Sequence, residues 1–356
     1  MKSALPLLVF LPILAAQKPA PSEADVRKTH RSAILIDTHN DVASFTVEDF
    51  DIGNSAGKHH TDISRLKQGG VGAVFFAVYV AGSYADSKTA ANRALQMIDT
   101  VRHDIVERYP RDFVLAGTAA DIEAARRNGR MAALMGIEGG HAIEDSLRLL
   151  RDFYALGVRY MTLTHSNNNN WADSSGAPGK HNGLTDFGKE VVREMNRLGM
   201  IVDVSHAADK TFWDAIETSK APVFASHSSC RSLCDVPRNM SDEMVAAMAK
   251  KGGVIQINFN CGFLGKTPAG GKPSATLADV VAHIDRAVKA GGMDAVGIGS
   301  DFDGITCVPD GLEDVSKFPA LTRALMEKGY APADIRKIYG GNTLRLMRAV
   351  EKAASR

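Results

Sequence analysis

Short apolar runs recur along the chain, and each is followed by a segment with helical periodicity. The runs are rich in Val, Ile and Leu and show little polar alternation, which is typical of strands buried on both faces. A further run at 113–116 leaves the number of strands at eight or nine. The eight main runs predict strands over 33–36, 73–80, 132–137, 159–163, 200–204, 223–225, 254–258 and 295–298.

The segments between these runs carry apolar stripes at helical spacing. A helix is predicted over 185–198, with Thr185 as its N-cap and Gly199 at the position where a left-handed residue ends a helix. A second helix is predicted over 276–290, ahead of two glycines. The stripe of the first helix consists of Phe187, Val191, Met195 and Leu198.

Alternation of strands and helices over the whole chain favours a single-domain (β/α)8 barrel of the TIM type, spanning 29–356. No long linker divides the chain. The alternative is a doubly wound open sheet, which needs a glycine-rich phosphate-binding turn after its first strand. The residues at 37–41 read Asp-Thr-His-Asn-Asp and are not such a turn.

Composition and charge exclude several classes of protein. With 45% hydrophobic and 23% charged residues in 356, the chain is neither disordered nor a multispan membrane protein. Its 42 Lys and Arg against 41 Asp and Glu give no overall electrostatic reason to bind nucleic acid. Four cysteines without a C-x-x-C spacing argue against a structural zinc knuckle.

The amino terminus predicts a secretory signal peptide over 1–16. Lys2 precedes a short apolar run that ends in small residues, and the run is too short to span a membrane. A lead-in segment is expected over 17–28. The carboxyl terminus has no hydrophobic tail for a lipid-linked anchor. We therefore expect a secreted or periplasmic protein without a stable membrane anchor, in a compartment that permits disulfides.

Polar side chains follow six of the predicted strands. The carboxyl ends of barrel strands converge on one face, where active sites are built. Any one of these residues alone is better explained as a turn former or a hydrogen-bonded residue. The repetition over six strands predicts a functional site formed by His39, Asp41, Glu138, His165, His206, His227 and Asp301.

Five of these residues suggest a two-metal centre. His39 and Asp41 are two residues apart, so on a strand both face the same side and reach one cation. Imidazole and carboxylate are ligands that suit zinc. Glu138 can offer one oxygen to each of two cations, while His206 and His227 supply nitrogens to the second. Such a centre usually holds a bridging water as hydroxide near neutral pH.

With these residues in place, the chain resembles the membrane (renal) dipeptidase family of zinc peptidases. The resemblance runs in the same order across nearly the whole predicted mature chain. It implies a (β/α)8 barrel with two zinc ions, usually in a homodimer, that hydrolyses dipeptides. The motifs that carry it are Asp-Thr-His-Asn-Asp at 37–41, Gly-Ile-Glu-Gly-Gly-His at 136–141, Met-Thr-Leu-Thr-His at 161–165, Asn-Trp-Ala-Asp at 170–173, Val-Ser-His at 204–206, Ser-His-Ser-Ser at 226–229, Arg-Asn at 238–239 and Gly-Ser-Asp-Phe-Asp-Gly at 299–304.

The resemblance also implies roles for individual residues. His165 would contact the scissile carbonyl oxygen, Arg238 the free carboxylate of the substrate, and Asp301 the catalytic water or the amine. Because a clamp on the carboxylate ignores the neighbouring side chain, D-residues at the C-terminal position should be tolerated. The implied metal ligands are His39 and Asp41 for one zinc, His206 and His227 for the other, and Glu138 as the bridge between them.

Two features depart from the family pattern. The mammalian members are lipid-anchored, whereas this chain lacks such a signal, so a free, bacterial-type member is expected. Cys234 occupies a position where the family often has a disulfide cysteine. Its partner is not evident, and the pairing Cys234–Cys261 is the hypothesis among several.

Two other functions remain open. A different binuclear metal-barrel hydrolase would act on cyclic amides, lactams or phosphotriesters. Such enzymes typically carry His-x-His on the first strand and a carboxylated lysine bridge, whereas here the first strand ends in His-x-Asp and Glu138 takes the bridging place. The second alternative is a binding protein that has kept the fold without metals.

Overall fold

The strands of the barrel alternate with helices along the chain. The computed structural model describes residues 20–54, 57–265 and 271–354. The strands are β1 (Leu35–Asn40), β2 (Val71–Tyr79), β3 (Phe113–Leu115), β4 (Met131–Glu138), β5 (Val158–Thr162), β6 (Ile201–Asp203), β7 (Phe224–Ser228), β8 (Val254–Ile257) and β9 (Val296–Ile298).

Eight of these strands close into a parallel barrel. The order β2-β1-β9-β8-β7-β6-β5-β4 is closed by pairing of β2 with β4, and every recorded strand pair is parallel. The predicted (β/α)8 fold is therefore confirmed. The ninth strand, β3, pairs only with the first residues of β4 and lies outside the ring. Each of the eight main apolar runs thus contributes one barrel strand.

The predicted strands end too early at two places that matter for function. The first prediction stopped at residue 36, whereas β1 continues to Asn40, and β7 extends to Ser228 instead of ending at 225. Every residue of both strands is buried. Polar residues at these strand ends stay in the sheet because they are hydrogen-bonded inside the barrel.

Helices surround the barrel. They are α1 (Glu23–Ser32), α2 (Ala43–Thr46), α3 (Ile63–Gln68), α4 (Ser83–Ser87), α5 (Ala90–Thr100), α6 (Ala119–Arg127), α7 (Leu147–Ala155), α8 (Asp186–Leu198), α9 (Asp209–Thr218), α10 (Asp242–Lys250), α11 (Cys261–Leu264), α12 (Leu277–Gly291), α13 (Phe318–Lys328), α14 (Pro332–Arg336) and α15 (Asn342–Ala353). Segments Val101–Glu107 and Lys337–Gly341 are π-helical, and short 3-10 turns cover Gly140–Ile143, Met293–Ala295 and Val315–Lys317.

The ends of α8 and α12 follow the sequence signals. The Thr185 side chain accepts a hydrogen bond from the Gly188 amide, and Gly199 ends α8 with a φ of 81°. Thr276 begins α12 in a reciprocal capping box with Asp279. Both predicted helices are confirmed.

The amino-terminal half of the barrel interior is filled by apolar side chains. Phe75, Tyr160 and Phe224 are fully buried there, with ring centroids 5.4 Å apart for Phe75–Tyr160 and 5.2 Å for Tyr160–Phe224. A Cβ at Gly136 would overlap the Tyr160 ring, so the absence of a side chain at 136 makes room for it. A second, larger apolar layer lies between the strands and the helices.

The first described helix begins inside the predicted lead-in segment. The segment 17–28 contains the start of α1 at Glu23, and α1 buries Val26 against the rest of the protein. The predicted signal peptide, 1–16, lies outside the described residues. Among the residues described, no helix is both long and apolar enough to cross a membrane.

One disulfide joins Cys261 at the start of α11 to Cys307 in the loop after β9. The predicted pairing Cys234–Cys261 is therefore wrong. The Cys261 amide donates to the Cys307 carbonyl at 3.3 Å, and the two Cα atoms are 5.6 Å apart, so these residues are in register for a bridge. The Cys234 thiol instead donates to the Gly265 carbonyl, with sulfur and oxygen 3.2 Å apart, and remains free and buried.

Candidate active site

The polar residues predicted from the strand ends meet at the carboxyl-terminal mouth of the barrel, around the carboxylate of Glu138. This residue ends β4, and its Oε1 atom lies 3.1 Å from His206 Nε2 and 3.2 Å from His227 Nε2. His39 Nε2 lies 3.5 Å away, and His165 Nε2 lies 3.8 Å away. One carboxylate oxygen is thus surrounded by imidazoles from four different parts of the barrel.

Three groups of side chains in this cluster could each hold a cation; besides His39, His227 and Asp301, there are two groups that share Glu138. The first is His39, Asp41 and Glu138, and the second is Glu138, His206 and His227; ligand atoms within each group lie within 4.8 Å of one another. His39 Nε2 and Asp41 Oδ2 are buried and have no hydrogen-bond partner. Unpaired buried polar atoms are costly, and a cation between them would remove that cost. This donor set fits zinc, which binds imidazole nitrogen and carboxylate oxygen.

The tautomer of His39 is set from behind by Tyr160. The Tyr160 hydroxyl donates to the Thr38 carbonyl at 3.1 Å and lies 2.7 Å from His39 Nδ1. With its own proton engaged, the hydroxyl accepts from a protonated Nδ1. When His39 is neutral, its lone pair is therefore on Nε2, which faces Glu138. Such outer contacts commonly orient histidine ligands.

His227 is oriented in the same way through Ser226. The Ser226 hydroxyl donates to Asp203 Oδ2 at 2.5 Å and accepts from His227 Nδ1 at 2.7 Å. Asp203 is fully buried and also accepts from the hydroxyl of Thr162 at 2.6 Å and from the Ser226 amide at 2.8 Å. His227 Nε2 is consequently left as the acceptor that faces Glu138.

Burial and neighbouring charges set the protonation of the cluster. Burial alone would raise the pKa of Glu138, but the surrounding imidazoles, His39 foremost, hold it well below the usual range. Burial keeps the pKa of both His206 and His227 well below the usual imidazole value. The site therefore combines an ionised carboxylate with two neutral imidazoles, which is the state that ligates metal.

Asp301 completes the cluster from the end of β9. The side-chain amide of Asn258 donates to its Oδ2 at 2.8 Å, and its Oδ1 lies 4.0 Å from His39 Nε2. Burial raises the pKa of Asp301 to about 8, and the nearby carboxylate of Asp41 adds to the rise. One oxygen is thus fixed by an amide while the other faces the cluster.

Three residues at this mouth adopt left-handed backbone conformations without being glycine. The φ angles are 64° for His206, 64° for Asp301 and 71° for Asp303. Such conformations are uncommon for residues with a Cβ, and they concentrate at functional sites. The next residue must be glycine, because a Cβ at Gly304 would lie only 2.5 Å from Asp41 Oδ2.

A cavity of about 400 Å³ opens above the cluster. Of the predicted site residues, Asp41, Glu138, His165, His206 and Asp301 line it, whereas His39, His227 and Arg238 do not. The other lining residues are Ser44, Tyr79, Ser166, Asn260, Phe263, Asp303, Gly304 and Ile305.

Arg238 does not line this cavity itself but lies next to Phe263, which does. Its Nη2 donates to the His227 carbonyl at 2.8 Å and its Nη1 to the Ser228 hydroxyl at 3.3 Å. The guanidinium carbon lies 5.4 Å from the ring centroid of Phe263, which lines the cavity. The Nε atom is buried without a partner, and burial lowers the pKa of the side chain.

The residues that orient the cluster were missed by sequence reasoning. Tyr160, Asp203, Ser226 and Asn258 touch the predicted residues from behind or from the side. The sequence signal that could have found them is a polar or hydroxyl-bearing residue within an otherwise apolar strand. Such a side chain, if it faces the barrel interior, must form a hydrogen bond there.

Comparison with known proteins agrees with this geometry. The profile of the family described as membrane dipeptidase (peptidase family M19) matches residues 23–356. The chain belongs to this family. A relative named dipeptidase verJ from Clonostachys rogersoniana is 40% identical over 337 residues, covering 90% of this chain and 85% of that protein.

Two solved structures, of a probable dipeptidase and of a metallopeptidase, have the same fold. The probable dipeptidase PvdM from Pseudomonas aeruginosa superposes with a TM-score of 0.86 at 26% identity, covering 92% of this chain and 98% of that one. A metallopeptidase from Rhodobacter sphaeroides, liganded with a phosphinate mimic of L-Ala-D-Ala, superposes with a TM-score of 0.81 at 30% identity, covering 89% and 99%. The protein is thus a dipeptidase of a metallopeptidase family, with metal-binding residue groups in place.

Proposed function

We propose that this M19 dipeptidase cleaves dipeptides with two zinc ions, one held by His39 and Asp41, the other by His206 and His227, and both by Glu138. The observation that carries the proposal is the position of Glu138 Oε1, within 3.5 Å of three imidazole nitrogens. When bound, the two ions would activate a water and polarise the scissile carbonyl.

Asp301 is assigned the proton transfer. It lines the cavity with one oxygen fixed by Asn258, so the other can take a proton from the attacking water and pass it to the leaving amine. His165 lines the same cavity, with its ring centroid 5.0 Å from that of Tyr79. It is assigned a hydrogen bond to the scissile carbonyl oxygen.

Arg238 is assigned the recognition of the substrate carboxylate. A guanidinium matches a carboxylate with two hydrogen bonds, and the unpartnered Nε of Arg238 leaves it a donor to spare. A tripeptide places a neutral amide where the carboxylate belongs. Since the contact does not involve the neighbouring side chain, a D-residue at that position should be accepted.

One experiment tests the assignment as a whole. The purified protein is assayed with L-Ala-L-Ala, L-Ala-D-Ala and L-Ala-L-Ala amide, before and after chelation, and its zinc is measured. We expect about two zinc per chain, loss of activity on chelation, cleavage of both dipeptides, and about 30-fold or greater preference over the amide. Undiminished activity without metal, or cleavage of a lactam but not of dipeptides, would contradict the proposal.

Two variants separate the carboxylate clamp from general charge effects. Arg238→Ala should lose most of the preference for the free acid. Arg231→Ala is the matched control, because Arg231 lies in the same loop but binds Asp209 at 2.6 and 2.7 Å. If Arg238→Ala discriminates as sharply as the control, Arg238 is not the clamp.

We further propose that the protein acts outside the cytoplasm as a free, bacterial-type homodimer. The disulfide between Cys261 and Cys307 supports this location, since such bonds persist in oxidising compartments. Mass determination of the mature amino terminus should show cleavage after residue 16, and light scattering should give twice the chain mass. An uncleaved cytoplasmic product would contradict the location.

A further inference from the structure

Three residues that line the cavity carry buried oxygen atoms that have no hydrogen-bond partner. They are Ser44 Oγ, Asp303 Oδ2 and Asp41 Oδ2, all buried, and all three residues line the cavity. Ser44 lies in α2 after β1, and Asp303 lies in the loop after β9, the strand that pairs with β1. Asp41 belongs to the proposed metal centre, but nothing in that centre uses the other two.

The carboxylate of Asp303 is held so that one oxygen is used and the other is not. Its Oδ1 accepts from the His60 amide at 2.7 Å, and its own amide donates to His60 Nδ1 at 3.0 Å. The side chain is only 2% exposed. Burial raises the pKa of the Asp303 carboxyl, although the His60 amide and the nearby Thr61 hydroxyl lower it in part. The Thr61 hydroxyl accepts from Asn40 at 2.9 Å, and Oδ2 of Asp303 has no hydrogen-bond partner.

The backbone around Asp303 indicates that this placement is enforced. Its φ of 71° is unfavourable for a residue with a Cβ. The next residue, Gly304, passes so close to Asp41 and Asp301 that a Cβ would lie 2.5 Å from one carboxylate oxygen and 2.7 Å from another. A buried carboxylate oxygen without a donor, beside further carboxylates, calls for a cationic donor.

We propose that Ser44 and Asp303 form a subsite for the free α-ammonium group of the substrate. An ammonium group offers donors and no acceptor, and an α-amine is largely protonated near neutral pH. The inference rests on the proposed function, because it places a dipeptide in this cavity. The substrate would then be recognised at both ends. Ser44 after β1 and Asp303 after β9 would bind its amino group, and Arg238 after β7 would bind its carboxylate.

The test compares L-Ala-L-Ala with propionyl-L-Ala, which differs only in lacking the amine. Wild type should prefer the dipeptide by about 30-fold or more in kcat/KM. Asp303→Asn keeps an oxygen for the His60 amide but removes the charge. It should raise KM for the dipeptide about 30-fold, with kcat within about threefold, and leave propionyl-L-Ala unchanged. Ser44→Ala removes one neutral acceptor and should raise KM about fivefold.

Asp310→Asn is the matched control, because Asp310 is exposed in the same loop and does not line the cavity. It should behave as wild type. If Asp303→Asn and Ser44→Ala both keep the wild-type preference for the amine, the subsite is wrong. Loss of zinc from Asp303→Asn would make Asp303 a metal-site residue and also overturn it. Failure of wild type to cleave either compound would instead contradict the proposed function.

Discussion

The two ends of the barrel interior are built from the same eight strands and differ in almost every other respect. At the amino-terminal end, Phe75, Tyr160 and Phe224 pack ring against ring. At the carboxyl-terminal end, buried atoms such as His39 Nε2 lack partners and residues such as Asp301 adopt left-handed backbone. One end stabilises the fold, while the other keeps unfavourable features that a ligand can relieve. Stability and chemistry should therefore respond to different substitutions.

The largest loss of activity without a loss of stability is expected from Glu138→Gln. The variant removes the only charge shared by the two proposed metal groups, so turnover of L-Ala-L-Ala should fall about 1000-fold or more. The circular dichroism spectrum should stay unchanged, because the apolar end is untouched. Glu217→Gln, on the exposed side of α9, is the control and should keep full activity. Near-normal turnover of Glu138→Gln would rule out a shared carboxylate.

The opposite result is expected from Phe224→Ala at the apolar end. Removing a fully buried ring should lower the free energy of unfolding by about 3–5 kcal/mol, measured by urea denaturation. The molecules that remain folded should keep their kcat, since Phe224 touches no proposed ligand directly. A loss of kcat with little change in stability would show that the two ends are not separable.

Tyr160→Phe tests a residue that belongs to both ends of the barrel interior. The ring stays in the apolar layer, but the hydroxyl that holds His39 Nδ1 is removed. Zinc affinity should fall about 10-fold, measured by competition with a chelator. The free energy of unfolding should fall by about 1 kcal/mol. Unchanged zinc affinity would mean that the orientation of His39 is set by other contacts.

Glu194→Gln should change stability only slightly and leave activity unchanged, because Glu194 lies at neither end of the barrel interior. Its hydrogen bond to Arg197, together with Arg151, lowers the pKa of Glu194 to about 2. A depressed carboxyl pKa adds stability above the unfolded value near pH 4.5 and loses it as the pH falls toward 2. Since both arginines are more than 40% exposed, the contribution should be below about 1 kcal/mol. Urea unfolding at pH 7 and pH 3 should show a smaller loss of stability in the variant at pH 3 than at pH 7, with activity at pH 7 unchanged.

The sequence predicted the apolar end of the fold better than it predicted details of the mouth. Apolar runs located the eight strands because burial on both faces leaves a plain compositional signal. The residues His39 and Glu138 could be proposed because parallel strands bring their carboxyl ends together. Tyr160 was missed because it reads as an ordinary core aromatic, and only its hydroxyl reaches the site.

Other features of the mouth depend on loop geometry that spacing does not encode. Cys234 and Cys307 were both available to Cys261, and only the register of the loops after β8 and β9 decides between them. From the sequence alone, turn formation explains Asp303 as well as a functional role does. Its unpartnered oxygen becomes visible only when His60, distant in sequence, is placed beside it.

The Cys261–Cys307 disulfide also acts on the chain when it is not folded. It closes a covalent ring across a sequence separation of 46 residues, and this ring contains α12 and β9. In the chain-entropy account, such a ring removes conformations from the unfolded ensemble worth about 4 kcal/mol. The strand inside the ring, β9, pairs with β1 at Asp37 and Ile298 and with β8 on its other side. The cross-link therefore keeps that last strand near its neighbour β8 before any of the sheet has formed.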